Sequence, residues 1–475
     1  MLLTLNLLPA LGALIISFIP GSSRKLIQRF SLFWSLTIFN LVVLLFFLFD
    51  PSNSWFQLTF ESDWILSSNS FLSFGVDGLS LCMILLTAFL IPVCILLSWN
   101  DSVSSKSKEY VIAYLLMESF LFGIFTSLDI LMFYLCFEAV LIPMFLIIGI
   151  YGSRQRRIRA SYLLFLYTLL SSIFMFLAIL YIYYKTGTTQ YTLLKNIQLS
   201  CLEEQICWLC FFFSFAVKMP LLPFHIWLPE AHCEAPTSGS VILAGILLKL
   251  GGYGFLRFSI GLFPEASSYF TPLIYTISVF GVIYASITTL QQVDLKKIIA
   301  YSSVGHMGLV TIGLFSGNSQ GILGAIMLMI SHGIVSSALF LCVGILYERH
   351  HTRVVKYYSG LIHTMPLFST CFIIFTLGNI GLPATSSFIG EFLIILGCFE
   401  TNSWAALLTG TGLIWGACYG LWLQNRILFG NIKSYSMKKF QDLNRFELYL
   451  LTPFVILTFL LGLFPDLVIS YITIY

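Results

Sequence analysis

Apolar runs of about twenty residues follow one another along the whole of this 475-residue chain, and a run of that length is what an α-helix needs to cross the hydrocarbon core of a bilayer. Hydrophobic side chains make up 58% of the sequence and charged ones 9%, where ordinary soluble proteins carry roughly 25% charged residues. A soluble domain is thereby excluded, and the chain reads as an all-α polytopic membrane protein. No Gly/Ser-rich linker, charge block or low-complexity segment divides it, so one continuous helical bundle is expected.

Punctuation between the apolar runs predicts fourteen transmembrane helices: 3–19, 30–50, 76–99, 111–127, 129–150, 162–184, 206–228, 237–262, 270–290, 297–316, 321–346, 366–398, 405–429 and 446–474. Basic residues test that count, because they collect on one side of a membrane. With fourteen spans, nineteen of the 24 lysines and arginines fall in loops on one side. They are Arg24 to Arg29, Lys106 and Lys108, Arg154 to Arg159, Lys296 and Lys297, Arg349 to Lys356, and Arg426 to Arg445. Lys185 and Lys195 fall opposite, and Lys218, Lys249 and Arg257 fall inside spans. One helix more or fewer would scramble this partition. Both termini are expected on the charge-poor side, outside a bacterial cytoplasm or a mitochondrial matrix.

The eleven cysteines are scattered and mostly lie inside apolar runs, where thiols behave as small hydrophobes. Cys207 and Cys210 form a CxxC without a second pair to complete a metal site, and the spacing of His225, His232, Cys233 and Glu234 fits no zinc pattern. No metal site is expected. The N-terminal apolar run is followed, not preceded, by its positive charges, the reverse of a secretory signal.

A charge at mid-membrane costs about 2.5 to 3.5 kcal/mol on insertion scales, so the few that occur face the bundle interior and serve a function. Candidates are Glu118, Glu138, Lys218, Lys249 and Glu391, joined by His306 and His332. Asp77, Asp129 and Arg257 sit near span ends, where an interfacial or snorkelling charge is an equally good reading. Lys218 lies about twelve residues into its predicted span, too deep to reach water easily.

Pro220 and Pro223 follow Lys218 closely and should break the seventh helix, since proline lacks the backbone donor and clashes with the preceding turn. Pro383, with Gly381, should break the twelfth just before Glu391. Irregular backbone at membrane depth is tolerated where protein or a water-filled cavity satisfies it, and broken helices in matching positions of two halves mark transporters with inverted repeats. Taking spans 4–8 and 9–13 as repeats, the broken helix is fourth in each, and five helices per repeat invert the second half. The expected organisation is three N-terminal helices in 1–110, a first antiporter-like repeat in 111–262, a second in 263–430, and a C-terminal loop and last helix in 431–475. The residues "HIWLPEAHCEAPTSGS" then read as a polar turn into the eighth helix.

Such a line of groups suits proton transfer. A lysine in apolar surroundings loses its proton readily, and a nearby carboxylate restores its affinity. A carboxylate about 6 Å away at an effective dielectric near 20 attracts an ammonium by about 2.8 kcal/mol, about a hundredfold in proton affinity. Moving Glu138 relative to Lys218 would thus switch the lysine between holding and releasing a proton.

The stretches "FAVKMPLLPFHIWLPEAHCEAPTSGSVILAGILLKLGGYGFLRF", "DLKKIIAYSSVGHMGLVTIG", "MLMISHGIVSSALFLCVGILYERHHTR" and "LPATSSFIGEFLI" resemble the antiporter-like membrane subunits of proton-translocating NADH:ubiquinone oxidoreductase, respiratory complex I. The bacterial M subunit is a similar chain, and cation/proton antiporter subunits are more distant. The resemblance is dense from Tyr110 to Gly430. It implies a fourteen-helix fold with two inverted five-helix repeats and a hydrophilic axis along the membrane. It also implies roles. Glu138 matches the glutamate that sets the charge state of the next group, Lys218 the broken-helix lysine and Lys249 the lysine that relays onward. His332 matches a linking histidine and Glu391 the exit residue. Sister antiporter-like chains usually carry lysine at the last position, so Glu391 sets this chain apart from them, and "RHHTRVVKYYSGL" is closer to mitochondrial than to plastid chains.

The expected function is that of a proton-translocating membrane-arm subunit in the mitochondrial inner membrane, with its termini toward the intermembrane space. Glu118, His225 and His306 are expected as secondary path or access groups. Partners would be other membrane-arm subunits, sister antiporter-like chains among them, and lipids, with no nucleic acid. NADH, FMN, iron–sulfur clusters and ubiquinone would be bound by other subunits, since no dinucleotide fingerprint, cluster-binding cysteine set or quinone site is visible here. A stand-alone cation/proton antiporter subunit is the alternative, and a scaffold without transport a third reading, for which two broken helices have no use.

Overall fold

The computed structural model describes residues 1–53, 55–65, 70–99, 107–432 and 441–472. Lys106, Lys433, Lys438 and Lys439, counted in the charge partition, lie outside the described residues. A helix stands at each of the fourteen apolar runs, from Leu2–Phe18 to Arg445–Leu463. Among the described residues, ten helices are long and apolar enough to cross a membrane. Two of the other runs fall short because each is divided. The run 206–228 becomes Cys201–Lys218 and Trp227–Glu234, and the run 366–398 becomes Pro366–Ile380 and Ser386–Thr401. The last predicted span, 446–474, ends early at Leu463, because Pro465 follows Phe464 and a short helix, Asp466–Ile469, takes over.

Burial sorts the bundle into a centre and a periphery. The most apolar stretch of Ser319–His350 is buried throughout and that of Thr237–Ile260 is 94% buried, against 28% for Arg24–Leu48 and 39% for Arg157–Thr186. The peripheral helices expose large apolar side chains such as Phe33, Phe47 and Leu170, which is the face a lipid chain solvates. The central helices have no lipid face, so their polar side chains must find partners inside the protein. Ser319–His350 packs on Ser386–Thr401, Leu295–Leu314, Pro366–Ile380 and Arg445–Leu463, which puts His332 at the middle of the second half.

The residues between the second and third spans, too polar for a membrane run, form an antiparallel hairpin, Gln57–Ile65 with Ser70–Val76. It is fastened to the end of the fourth span by the Leu128 amide, which donates to the Ser73 carbonyl at 2.9 Å. Beyond it Asp77 caps Gly78–Leu97. Its carboxylate accepts from the Ser80 amide at 3.0 Å, and its own amide donates to the Ser80 hydroxyl at 2.8 Å, the reciprocal pairing of a capping box.

The divided seventh run and the eighth helix touch where Gly251 faces Met219. A Cβ on Gly251 would lie 2.8 Å from both the Met219 Cβ and the Phe215 carbonyl oxygen, so glycine is what allows the two backbones to meet. Gly251→Val should therefore overpack this junction, at a cost of about 1–3 kcal/mol or more. Gly410→Ala, whose Cβ would meet nothing within 4 Å, should be neutral or mildly stabilising. Thermal unfolding of the purified protein in detergent checks both.

Candidate functional site

Lys218 is the last residue of Cys201–Lys218, and not a mid-helix residue as its predicted span implies, because the helix starts five residues earlier and stops at the prolines. Neither Pro220 nor Pro223 can donate to the carbonyls left behind. The structure supplies other donors: the Leu221 amide reaches the Ala216 carbonyl at 2.9 Å, and the Trp227 indole N–H takes the Val217 carbonyl at 3.0 Å. Lys218 is 3% exposed, and its ammonium lies 4.4 Å from the centre of the Phe137 ring, a distance at which the ring quadrupole attracts a cation. The residue after Phe137 in the helix Ile130–Ala139 is Glu138. Its Oε1 is buried without a hydrogen-bond partner among the described residues.

Thr237–Ile260 is not a regular α-helix. Leu243–Leu247 and Phe255–Ile260 are π-helical, on either side of Leu248–Gly254, and such wide turns gather at functional sites. Lys249, fully buried, donates from Nζ to the Ala244 carbonyl and lies 2.8 Å from His332 Nδ1. The His332 ring is 5.5 Å, centre to centre, from the His306 ring. His306 Nδ1 in turn is 3.4 Å from Glu391 Oε1, at ion-pair distance but without hydrogen-bond alignment. Lys249, His332, His306 and Glu391 thus form one buried row across three central helices and the second half of the divided twelfth.

The second break positions the end of that row. Pro366–Ile380 stops at Gly381, whose φ of +79° is the left-handed region, and a Cβ there would lie 2.2 Å from Glu391 Oε2. Glycine is needed both for the turn and for the carboxylate. Tyr419, Asn379 and Ser302 join His306 and Glu391 around a cavity of about 20 Å³, a volume that suits about one water. Tyr301 lines the same cavity, and the His225 ring stands edge-on to it at 6.2 Å and to Tyr284 at 5.6 Å. His225, buried in the first break, therefore lies against Pro264–Gln291 and Leu295–Leu314.

The structure corrects three sequence readings. Trp227–Glu234 is a helix and not a polar turn, buried along nearly its whole length against helices on either side of it in the chain. His232 lies flat on the Phe340 ring, 4.5 Å away, inside the protein. Lys296 and Arg353, placed in loops by the charge partition, are buried: Lys296 donates to the Ala235 carbonyl at 2.7 Å and Arg353 to the Cys233 carbonyl. Both satisfy carbonyls at the C-terminal end of Trp227–Glu234, where cations are favoured. Arg257 and Asp77 are not separate snorkelling charges but form a buried ion pair, Nη2 to Oδ1 at 2.7 Å. Glu118 stays apart from the row, fully buried with both oxygens unpartnered among the described residues. No group of three or more His, Cys, Asp or Glu that could hold a metal ion occurs among the described residues.

A membrane bundle with interior charges strung between two interrupted helices is a transport fold of the antiporter-like class. The family described as NADH:quinone oxidoreductase/Mrp antiporter, TM, matches residues 127–415. NADH-ubiquinone oxidoreductase chain 4 of Marchantia polymorpha is 56% identical over 97% of this chain and 93% of that one. A chain of respiratory complex I from Thermus thermophilus superimposes with a TM-score of 0.89 at 28% identity, covering 99% of both chains. A chain of the Mrp complex from Dietzia sp. DQ12-45-1b shares the fold, with a TM-score of 0.87 at 18% identity over 98% of this chain and 95% of that one. The chain belongs to the antiporter-like NADH:quinone oxidoreductase family, and within it to the NADH-ubiquinone oxidoreductase chain 4 proteins.

The contact at the second break generates a test. Gly381→Ala and Gly317→Ala both put a side chain at positive φ (+79° and +72°), at a cost of about 1–2 kcal/mol, so both should lower Tm. A Cβ at Gly317 would meet nothing within 4 Å. Only Gly381→Ala should also shift the infrared carboxyl band assigned to Glu391.

Proposed function

We propose that this chain is a proton-translocating membrane-arm subunit of respiratory complex I in the mitochondrial inner membrane, carrying protons while NADH oxidation and ubiquinone reduction proceed in other subunits. The observation that carries the proposal is the buried row from Lys249 through His332 and His306 to Glu391. Each member can hold or release a proton, and each is buried in the protein. Similarity over nearly the whole chain, at 47% to 56% identity, to the NADH-ubiquinone oxidoreductase chain 4 proteins of Marchantia polymorpha, Chondrus crispus and Metridium senile agrees with that setting.

In this reading the chain crosses the membrane fourteen times, with two inverted five-helix repeats in 111–262 and 263–430 and its termini toward the intermembrane space. Glu138 and Lys218 form the charge switch of the first repeat. A carboxylate close to the lysine holds its proton, and withdrawal of the carboxylate releases it. The backbone breaks give the lysine and Glu391 the freedom to move without unwinding a whole helix. Lys249 then hands the proton to the histidine pair, and Glu391 delivers it to the cavity beside Tyr419. His225 serves access between the breaks, and Glu118 is a secondary group of the first half. NADH, FMN, iron–sulfur clusters and ubiquinone belong to neighbouring subunits, and the redox sites with them. A stand-alone cation/proton antiporter subunit uses the same fold, but Glu391 in place of the lysine usual in sister chains favours complex I.

Lys218→Ala and Glu138→Ala should each reduce NADH-driven proton uptake by liposomes that contain the assembled complex, by about tenfold for each 1.4 kcal/mol removed from the barrier-lowering interaction. Lys218→Arg keeps the charge but does not release a proton, and should fail as Lys218→Ala does. Undiminished uptake in all three, at equal amounts of assembled complex, would sink the assignment.

A further inference from the structure

We infer that Arg257 is a proton seal: held by Asp77 where both line a surface cavity, its guanidinium closes the route by which protons from the charge-poor side of the membrane would otherwise flow back onto Lys249. The inference rests on the proton-relay reading and on the membrane orientation proposed with it.

Lys249, Tyr253 and Arg257 are spaced by four along one helix, a spacing that stacks side chains on one face. From Lys249 to Arg257 is eight residues, α-helical as far as Gly254 and π-helical beyond, a rise on the order of 10 Å. Beyond Arg257 lies a cavity of about 630 Å³ lined by Asp77, Tyr191, Lys195, Glu204, Arg257 and Glu265. Lys195 and Glu265 are exposed, so the cavity opens to the outside. Its walls come from the start of the third span, the loop before the seventh and the start of the ninth, which the fourteen-span reading puts on one side. Between a large opening on the surface and a buried proton carrier, the same helix places a layer of side chains that includes Tyr253 and Arg257.

That layer is built around a group that cannot take part in proton hopping. Arginine has five N–H donors and no acceptor, and keeps its proton under all ordinary conditions. Here one donor, Nη2, is spent on Asp77 at 2.7 Å and another, Nε, on the Tyr253 hydroxyl at 3.4 Å. Tyr253 in turn donates to the Phe125 carbonyl at 3.2 Å, so its proton points away from Arg257. The rings of Phe56, Tyr253 and Tyr191 stand 4.9, 5.4 and 5.6 Å from the guanidinium carbon and fill the space around it. Hydrogen bonds run outward from the arginine on both sides, which leaves no lone pair on it to receive a proton from either. Fixed arginine charges also exclude protons from other membrane pores as electrostatic barriers. Asp77 keeps the buried cation in place and offsets its desolvation.

The test uses the assembled complex in proteoliposomes without NADH, so that decay of an imposed pH gradient reports passive leak. Arg257→Gln should speed the decay severalfold over wild type, and with NADH present fewer protons should accumulate per NADH oxidised. If Arg257→Gln does not assemble, Asp77→Asn with Arg257→Gln removes both charges at similar shape and should leak in the same way. Should that fail too, Arg257→Lys decides: a desolvated lysine exchanges its proton, so leak supports the seal and wild-type tightness overturns it. Wild-type tightness in either glutamine variant overturns it as well, and marks the ion pair as structural. Lys218→Ala is measured alongside. If it lowers pumping while Arg257→Gln stays tight, this inference alone fails; if it leaves pumping unchanged, the relay reading fails.

Discussion

A peptide group that leaves its helix inside a bilayer has no water to bond to, so every break in a membrane helix must be repaid by donors and acceptors from the protein. The rest of this molecule's interior chemistry depends on how that demand is met at two places. After Lys218, the Trp227 indole and the Leu221 amide take carbonyls that the prolines cannot serve. After Ile380, a left-handed glycine turns the chain and leaves room for the Glu391 carboxylate. Each break lies close to an ionisable side chain, and the buried row of histidines and Lys249 ends at the second. Irregular backbone and buried charge are thus two aspects of one construction, in which the interruptions of the chain lie beside ionisable side chains.

The eighth helix adds a third irregularity of a gentler kind. Its π-helical turns leave the Ala244 carbonyl within reach of the Lys249 ammonium, so the lysine has a fixed neutral partner as well as His332. A cation with one oxygen and one imidazole partner is held in place while its proton can still pass to the ring. The same helix ends at Arg257, whose pairing with Asp77 is of the opposite character, fixed and without any acceptor. One helix therefore carries, eight residues apart, a cation able to release its proton and one that is not.

Much of this is legible in the sequence because buried charge is expensive. In a chain with so few charges, Glu138, Lys218, Lys249 and Glu391 stand out by depth alone, and Pro220, Pro223 and Pro383 announce the breaks by the bonds they cannot make. What a one-dimensional reading misses has equally definite causes. His306 reads only as a secondary path group, since nothing in sequence places it between His332 and Glu391. Lys296 and Arg353 look like loop charges because the carbonyls they satisfy, at Ala235 and Cys233, are some sixty and 120 residues away. Arg257 looks free to snorkel until Asp77, from another span, is seen beside it. The hairpin at 57–76 escapes notice because its alternation is too short to register against runs of membrane length, and the π-turns because no residue type specifies them.

His306 is the member of the row that spatial arrangement contributes, and it tests the central claim most directly. With His306→Leu in the assembled complex, reconstituted in liposomes, the initial rate of NADH-driven proton uptake is the quantity to measure. A break in the row between His332 and Glu391 predicts a severalfold lower rate at an unchanged amount of assembled complex. Uptake at the wild-type rate would contradict a relay through these four groups.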